Sequence, residues 1–239
     1  MLGMGYLLMD DPLRTVVNGP RQSVGTAAEL GLPGKLRPIP PGASVSSEAG
    51  GAGTVCCAVR DVSGKLFLLT SEHVVSGRPG DPVYQPGRSD GGDESARIGR
   101  IARILAPQPG MDATAAGALI ELAPEMGATM TAPGLGAIRG RADPIVGERI
   151  RAVGRTSGLV EGSVIAVNES VPVRISPTES AGLEGMIRTS PISEQGDSGA
   201  PVVNDRGELI GFVYAGSPDS SIVMPISPVL DALGVQLSN

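Results

Sequence analysis

Frequent glycine and proline constrain the fold of this chain more than any other feature. Glycine occurs 35 times and proline 21 times in 239 residues. Glycine costs backbone entropy inside a regular element, and proline has no amide N–H to donate. Interruptions this frequent predict many short elements joined by turns. They therefore indicate an all-β protein.

Apolar runs bounded by turn residues begin at Thr54 and continue almost to the end of the chain. Their short, regular spacing is typical of a β-sandwich or of β-barrels. The last segment, residues 227–234, predicts a short helix with Ser227 as its N-cap and Gly234 as its stop. The candidate strands are residues 54–59, 65–70, 82–85, 96–105, 115–122, 149–153, 163–168, 171–175, 185–189, 201–203, 208–214 and 221–224.

The length suits one domain of two lobes, or two small domains that share a core. Proline and glycine interrupt residues 1–50, which we interpret as an N-terminal arm with a short helix near residues 26–30. The rest, 51–239, forms the main domain. Its predicted parts are a first lobe over about 51–123, a linker over about 124–147, a second lobe over about 148–224 and the helix at 227–234.

Charge and hydropathy argue against several classes of partner. The formal net charge is −6 and there is no run of Lys or Arg, so we expect no nucleic-acid partner. No apolar stretch reaches the length of a membrane span, so we expect no membrane partner. Residues 1–11 are briefly apolar, but they lack a basic beginning and make a poor signal peptide.

The two cysteines, Cys56 and Cys57, are adjacent. A disulfide framework needs pairs that are distant in sequence, so none is expected. Neighbouring side chains of a strand point to opposite faces, which predicts one core thiol and one outward thiol. Together with the poor signal peptide, this favours a reducing, cytoplasmic location, with secretion as the alternative.

The chain has one histidine, His73, directly after a strand-like apolar run. Far downstream, Ser198 stands in the sequence Gly-Asp-Ser-Gly-Ala-Pro over residues 196–201. A serine becomes a nucleophile at neutral pH only when a base removes its proton. Any Ser/His chemistry in this chain must therefore use His73.

The residues around Ser198 suit this chemistry. Gly196 and Gly199 allow a sharp backbone turn without a Cβ clash. The amide N–H groups of Gly196 and Ser198 can then converge on one point and form an oxyanion hole. A structural Gly/Ser turn is the alternative, and the pairing with residues 69–74 outweighs it.

These motifs resemble those of the chymotrypsin/trypsin-like serine proteases. The resemblance implies an all-β fold of two antiparallel six-stranded β-barrels with a short C-terminal helix, the active site between the barrels, and no cofactor. The chain is most similar to an intracellular-looking bacterial branch and to plant narrow-leaf proteases. The matching residues are 53–54, 69–74, 153–159, 196–201 and 224–230.

The resemblance also requires an acid between His73 and Ser198 in sequence. Asp112, followed by small and apolar residues, is our choice for the acid that orients His73. Asp90, Asp93 and Glu94 are competitors, but they stand in a polar, loop-like run. Some family members bind calcium at this loop. We interpret it here as a solvated surface turn and expect no metal.

A gap-free match to the family would place Ile192 at the base of the pocket for the residue before the cut. Tyr214, Ala215 and Gly216 would form one wall. No aspartate stands at the base of the pocket to select Arg or Lys, so we expect the pocket to prefer a small or apolar substrate side chain. Alternatively, Ile192 is simply a core residue.

Residues 14–19 faintly resemble an activation cut site. In zymogens of the family, a freed terminus pairs with the acid before the serine, which is Asp197 here. Internal hydrogen bonds to Asp197 are the alternative.

The leading hypothesis is a serine endopeptidase acting on protein or peptide substrates. The alternative is a catalytically silent or latent, protease-shaped binding module, with any regulatory partner left open. Two features favour the alternative: the residues before the histidine, Ser71 and Glu72, where many family members have small side chains, and the low aromatic content.

Overall fold

The computed structural model describes residues 21–238, which form strands, short turns and a single α-helix, α1 (Ile226–Leu233). The strands are β1 (Gln22–Gly25), β2 (Ser44–Ser47), β3 (Gly53–Thr54), β4 (Cys57–Asp61), β5 (Leu66–Thr70), β6 (Pro82–Tyr84), β7 (Arg97–Leu105), β8 (Asp112–Ala113), β9 (Gly117–Leu122), β10 (Thr131–Ala132), β11 (Gly136–Ala137), β12 (Gly140–Arg141), β13 (Arg149–Gly154), β14 (Gly158–Arg174), β15 (Ser180–Thr189), β16 (Pro201–Asn204), β17 (Glu208–Gly216), β18 (Ser221–Pro225) and β19 (Val235–Leu237).

The C-terminal half forms a closed barrel. Its strands pair in the order β14-β13-β16-β17-β18-β15, and β14 also pairs with β15, which completes a ring of six. These pairings are all antiparallel. Short strands β1, β8 and β12 attach at its edges.

The other sheet runs β19-β4-β5-β9-β7-β6-β2-β3. Its middle six strands, β4 to β2 in this order, form the first barrel. The amides of Val55 and Gly42 bond to Ala43 O and Val55 O, each at 2.9 Å, and bring the two ends of this sheet together. The prediction of two antiparallel six-stranded barrels with one C-terminal helix is confirmed.

Alternation along β5 shows how the barrels meet. Leu68 packs inside the first barrel, whereas Phe67 and Leu69 point to the opposite face. There they join a cluster that includes Phe212 and Tyr214 of the second barrel. This apolar seam holds the two barrels together and extends to the end of β5.

Residues 21–50 are integrated into the fold, in contrast to the arm expected over 1–50. Strand β1 pairs with β14 of the second barrel, and β2 belongs to the first. Leu32 and Ile39 between them are fully buried. The prolines and glycines do interrupt long elements here, but strands of four residues fit between them. Residues 1–20, with the predicted cut site at 14–19, lie outside the described residues.

Local elements differ from the expectations in detail. Residues 26–30 form hydrogen-bonded turns, with Leu30 N donating to Thr26 O at 3.2 Å, and not a helix. Helix α1 begins at Ile226 and has Pro225 as its N-cap, two residues before the predicted N-cap, so Ser227 as N-cap was wrong. Gly234 ends it in the left-handed conformation at φ 62°, as predicted.

Both cysteines are buried and free, so the outward thiol was wrong. Cys56 lies just before β4, where its side chain joins Cys57 in the seam cluster. Burial raises the pKa of the Cys56 thiol well above its usual range. Over residues 21–238, the structure contains no helix with the length and apolar character of a membrane span.

Candidate active site

His73 lies in a short turn at the end of β5. The strand ends at Thr70, and Glu72–Val74 form one turn of 3₁₀ helix, with Val74 N donating to Ser71 O at 3.2 Å. The His73 side chain is 9% exposed. Its ring meets the Tyr214 ring edge-on, with centroids 5.2 Å apart and an interplanar angle of 86°. The histidine therefore lies at a strand end, beside Tyr214 of the barrel seam.

Ser198 lies in a turn that two glycines make possible. Gly196 has φ 104° and Gly199 has φ 91°, a conformation that L side chains rarely adopt. Thr54, at the end of β3, fixes the turn from the first barrel. Its amide donates to Ser198 O at 2.9 Å and its hydroxyl donates to Gly196 O at 3.0 Å.

Close packing at Gly199 brings this turn against the end of β5. A Cβ on Gly199 would lie 2.5 Å from Thr70 Oγ1 and would also clash with Thr54 O. Only glycine allows such an approach. Ser198 is thereby held next to the strand end from which the His73 turn starts, although no hydrogen bond joins Ser198 Oγ to His73 in the described structure. Such bonds are often long in ligand-free enzymes.

Around Ser198, backbone amides that donate a hydrogen bond to a protein acceptor alternate with amides that do not. Asp197 N donates to Glu194 O at 3.0 Å, and Gly199 N donates to Val213 O at 2.8 Å. Over residues 21–238, no hydrogen bond from the amides of Gly196 or Ser198 to a protein acceptor is present. These two N–H groups are the pair that the sequence assigns to the oxyanion hole.

Internal hydrogen bonds hold Asp197. Its Oδ1 accepts from the amides of Thr156 at 2.8 Å and Ser157 at 3.1 Å. Its Oδ2 accepts from the Ser157 hydroxyl and from Glu194 N, the latter at 2.8 Å. Burial raises the pKa of Asp197, and these hydrogen bonds oppose the rise. This arrangement is the second of the two alternatives for Asp197, and it fixes the turn without a freed terminus.

Asp112 does not meet His73. It lies exposed in the two-residue strand β8, which pairs in parallel with β15 of the second barrel. A Cβ on Gly182 of β15 would clash with its carboxylate. No hydrogen bond or ion pair between Asp112 and His73 occurs among the described residues.

Another carboxylate lies beside the histidine. Glu72 is 3% exposed, and its Oε1 is 3.5 Å from His73 Nδ1. Sequence reasoning missed this contact because it treated Glu72 only as a departure from the family. An acid next to the one histidine, at a strand end, was the available signal.

The acidic loop is engaged internally. Asp90 pairs with Arg155, whose Nε donates to Oδ2 at 2.9 Å. Asp93 caps a 3₁₀ turn by accepting from Ser95 N at 2.9 Å. Glu94 accepts from Tyr84 at 3.0 Å and from Arg88 at 2.7 Å. Among the described residues, no group of three or more His, Cys, Asp and Glu side chains is arranged to hold a metal.

The expected pocket residues divide into two groups. Ile192 is 1% exposed and packs inside the second barrel, which is the place of a core residue. Tyr214 and Ala215 are buried at the seam, and Gly216 is exposed. A Cβ on Gly216 would lie 2.6 Å from Ser193 Oγ, which in turn is 2.7 Å from Ser221 Oγ. The space between Ser193 and Gly216 is therefore narrow.

Comparison with known proteins agrees with this fold. The chain is 32% identical over 106 residues to Serine protease 1 of Streptomyces fradiae, a match that covers 42% of this chain but only 28% of that relative. The structure is similar to that of Nocardiopsis protease, with a TM-score of 0.66, 20% identity and coverage of 84% and 99% of the two chains. It is also similar to that of Cellulomonas bogoriensis chymotrypsin, with a TM-score of 0.63, 20% identity and coverage of 84% and 98%. At this identity the structural likeness shows the fold.

The family follows from a broader match. The family model of the trypsin-like peptidase domain matches residues 51–212, which is more than half of the chain. The protein belongs to the trypsin-like peptidase domain family, whose members are hydrolases of the serine protease class.

Proposed function

We propose that this chain is a serine endopeptidase in which Ser198 is the nucleophile and His73 its base. The close packing of Gly199 on the end of β5 carries the proposal, because it holds the serine turn beside the histidine turn. The available amides of Gly196 and Ser198 add a site for a developing oxyanion.

The reaction follows from these positions. His73 Nε2 takes the hydroxyl proton as Ser198 Oγ bonds to the carbonyl carbon of the substrate. The oxyanion of the tetrahedral intermediate accepts from the amides of Gly196 and Ser198. The C–N bond then breaks, and the leaving amine takes the proton from Nε2. His73 Nε2 then takes a proton from water as the water oxygen bonds to the acyl carbon. The ester bond between that carbon and Ser198 Oγ breaks, Oγ regains the proton from Nε2, and the acid product leaves.

The residue before the cut is expected to be small or apolar. Gly216 lies so close to Ser193 that even a methyl group on Gly216 would crowd the hydroxyl. Ser193 and Ser221 contribute hydroxyls and no charge to this region. A peptide-library cleavage profile is expected to favour small apolar residues at this position. A profile dominated by Arg or Lys would contradict the assignment.

Two finer expectations belong with this proposal. The first is kinship with the intracellular-looking bacterial branch and the plant narrow-leaf proteases. The second is a cytoplasmic location, for which the two free, buried thiols give support. Fractionation of the source cells, with the protein recovered outside the cytoplasm, would refute the location.

A fluorophosphonate probe tests the chemistry directly, because it reacts with an activated serine. The unaltered protein should be labelled at Ser198, and both Ser198→Ala and His73→Ala should abolish labelling while the fold persists. Ser63→Ala, in the exposed turn between β4 and β5, is the matched control and should label normally. If the folded, unaltered protein fails to react, the endopeptidase proposal is wrong, and a silent, protease-shaped binding module is favoured.

A further inference from the structure

The side chains of Ser71 and Glu72, which sequence comparison sets apart from the family, contact the proposed base directly. We propose that Glu72, acting through Ser71 and held by Tyr214, is the positioning residue that orients His73. This inference rests on the proposed function. It assigns to the neighbour of the histidine the task that the family gives to an aspartate from another strand.

The hydrogen bonds around Ser71 set the direction of the contact. Ser71 Oγ donates to Glu72 Oε2 at 3.2 Å and lies 3.1 Å from His73 Nδ1. A hydroxyl has one proton, so an oxygen that donates to the carboxylate can only accept from the ring. Nδ1 therefore carries the proton, and Nε2 is left as the basic nitrogen. This is the tautomer that proton abstraction from Ser198 requires.

Tyr214 holds the carboxylate in place. Its hydroxyl donates to Glu72 Oε1 at 2.6 Å, while its ring packs edge-on against His73. A carboxylate that is 3% exposed is costly to bury unless it is hydrogen-bonded. Ser71 and Tyr214 supply those bonds, one to each oxygen, so the carboxylate is fixed beside the imidazole.

The negative charge of Glu72 can stabilise the imidazolium that forms during the reaction. When Nε2 takes the proton of Ser198, the ring becomes a cation. Glu72 Oε1, at 3.5 Å from Nδ1, then faces a positive charge within the buried seam. The attraction between these opposite charges stabilises the tetrahedral intermediate, in which the ring is a cation.

The strand opposite the histidine turn has no acid at the level of that turn. Thr70 of β5 pairs with Ala118 of β9, so the same register continued places Ala116 opposite Glu72. Ala115 and Ala116 are buried in the cluster that contains Tyr214, and their methyl groups carry no charge. Asp112, farther along, is exposed and pairs with the second barrel. The longer Glu72 side chain supplies a carboxylate where this strand has alanine.

Nitrogen NMR of the unaltered protein tests the tautomer. His73 is the sole histidine, so the imidazole signals of a histidine-labelled sample need no assignment. We expect the neutral ring to carry its proton on Nδ1. A neutral ring protonated on Nε2 would overturn the proposal. This readout is independent of catalysis, so it distinguishes an error about Glu72 from an error about the proposed function.

Glu72→Gln is the matched variant. Its amide nitrogen would donate to Ser71 Oγ, the Ser71 hydroxyl would then donate to Nδ1, and the histidine proton would move to Nε2. We expect kcat to fall by about 10²- to 10⁴-fold with KM changed less than about threefold, as for loss of a triad acid. The NMR signal should report the other tautomer. Glu125→Gln, an exposed acid, is the control and should retain activity.

Two results would contradict the kinetic prediction. One is a folded Glu72→Gln variant with kcat within about threefold of the unaltered protein. The other is a loss of kcat in Asp112→Asn that is greater than the loss in Glu72→Gln. If Glu72→Gln does not fold, the His73 tautomer measured in the unaltered protein still tests the proposal.

Discussion

At the scale of single residues, Asp197 shows how the nucleophile turn is fixed. Burial raises the pKa of this carboxyl, while the Ser157 hydroxyl and three backbone amides act to lower it. A carboxyl whose pKa is higher in the folded state binds a proton at a pH where the unfolded chain has lost it. Stability therefore falls as the pH rises through the interval between the unfolded and the folded pKa.

Ser157→Ala should make this pH dependence steeper. Its hydroxyl bonds the charged carboxylate, so its loss should lower the free energy of unfolding by about 1–3 kcal/mol where Asp197 is ionised. The loss should be smaller where Asp197 is protonated. Urea unfolding at about pH 8 and about pH 4 measures the loss in each state.

Ser221→Ala, which removes a buried hydroxyl bonded to Ile192 N, is the control and should lower the free energy of unfolding equally at both pH values. Equal losses for Ser157→Ala at the two pH values would contradict this account.

Single residues also show the limit of local reasoning. His73 and Ser198 stand out in the sequence because one is the sole histidine and the other lies in a glycine-framed turn. Glu72 does not stand out, because its role depends on Tyr214, which is 142 positions away. Asp112 has suitable sequence neighbours, but its strand pairs with β15 and is exposed.

At the scale of elements, an ion pair connects the turn after β13 with the acidic loop of the first barrel. Arg155 and Asp90 are 17% and 10% exposed at their side chains. A Cβ on Gly196 would lie 2.9 Å from Arg155 Nη1, so this pair borders the proposed oxyanion hole. Sequence analysis interpreted the acidic loop that contains Asp90 as a solvated turn, because its pairing with Arg155 joins distant segments and is not visible in the sequence.

Asp90→Asn should test that connection. It leaves a largely buried guanidinium without its charge partner, so we expect the free energy of unfolding to fall by about 2 kcal/mol, between the values for surface and buried pairs. Fluorophosphonate labelling should slow because Gly196 loses a fixed neighbour. Denaturant unfolding and labelling rates measure the two effects.

Glu48→Gln, which breaks an exposed pair with Arg88, is the control and should change neither the free energy of unfolding nor the labelling rate. An Asp90→Asn variant as stable as the Glu48→Gln control would refute the role.

Strand β14 shows why element boundaries were hard to predict. The sequence indicates separate strands at 163–168 and 171–175, but the structure has one strand of 17 residues from Gly158 to Arg174. Asn168 has φ 58°, and the pairing with β15 shifts register around it. Asparagine tolerates this conformation, so a bulge occurs where a turn was expected.

At the scale of the whole molecule, residues 21–50 complete the first barrel and border the second. Strand β2 lies between β6 and β3, and β1 borders β14. Leu32, Ile39 and Val45 are all fully buried. The family match starts at residue 51, so the match alone would suggest that the fold starts there.

Removal of residues 1–50 should therefore prevent normal folding. The fragment 51–239 loses β2, and the first barrel opens between β6 and β3. We expect no cooperative thermal transition by calorimetry and poor dispersion in the amide NMR spectrum, with the full chain as the control. Cooperative unfolding of the fragment within a few degrees of the full chain would show that these residues are dispensable.

The sequence by itself determined the all-β class, the two barrels through the family motifs, and the choice of His73 and Ser198 as the proposed catalytic pair. These depend on turn residues and on side chains whose chemistry is evident from their immediate neighbours. Only the tertiary structure decided which carboxylate meets His73, what holds Asp197, and that residues 21–50 belong to the barrels. Each of these is a contact between distant segments across the barrel seam or a sheet edge. Such contacts depend on strand register and packing, which local patterns do not specify.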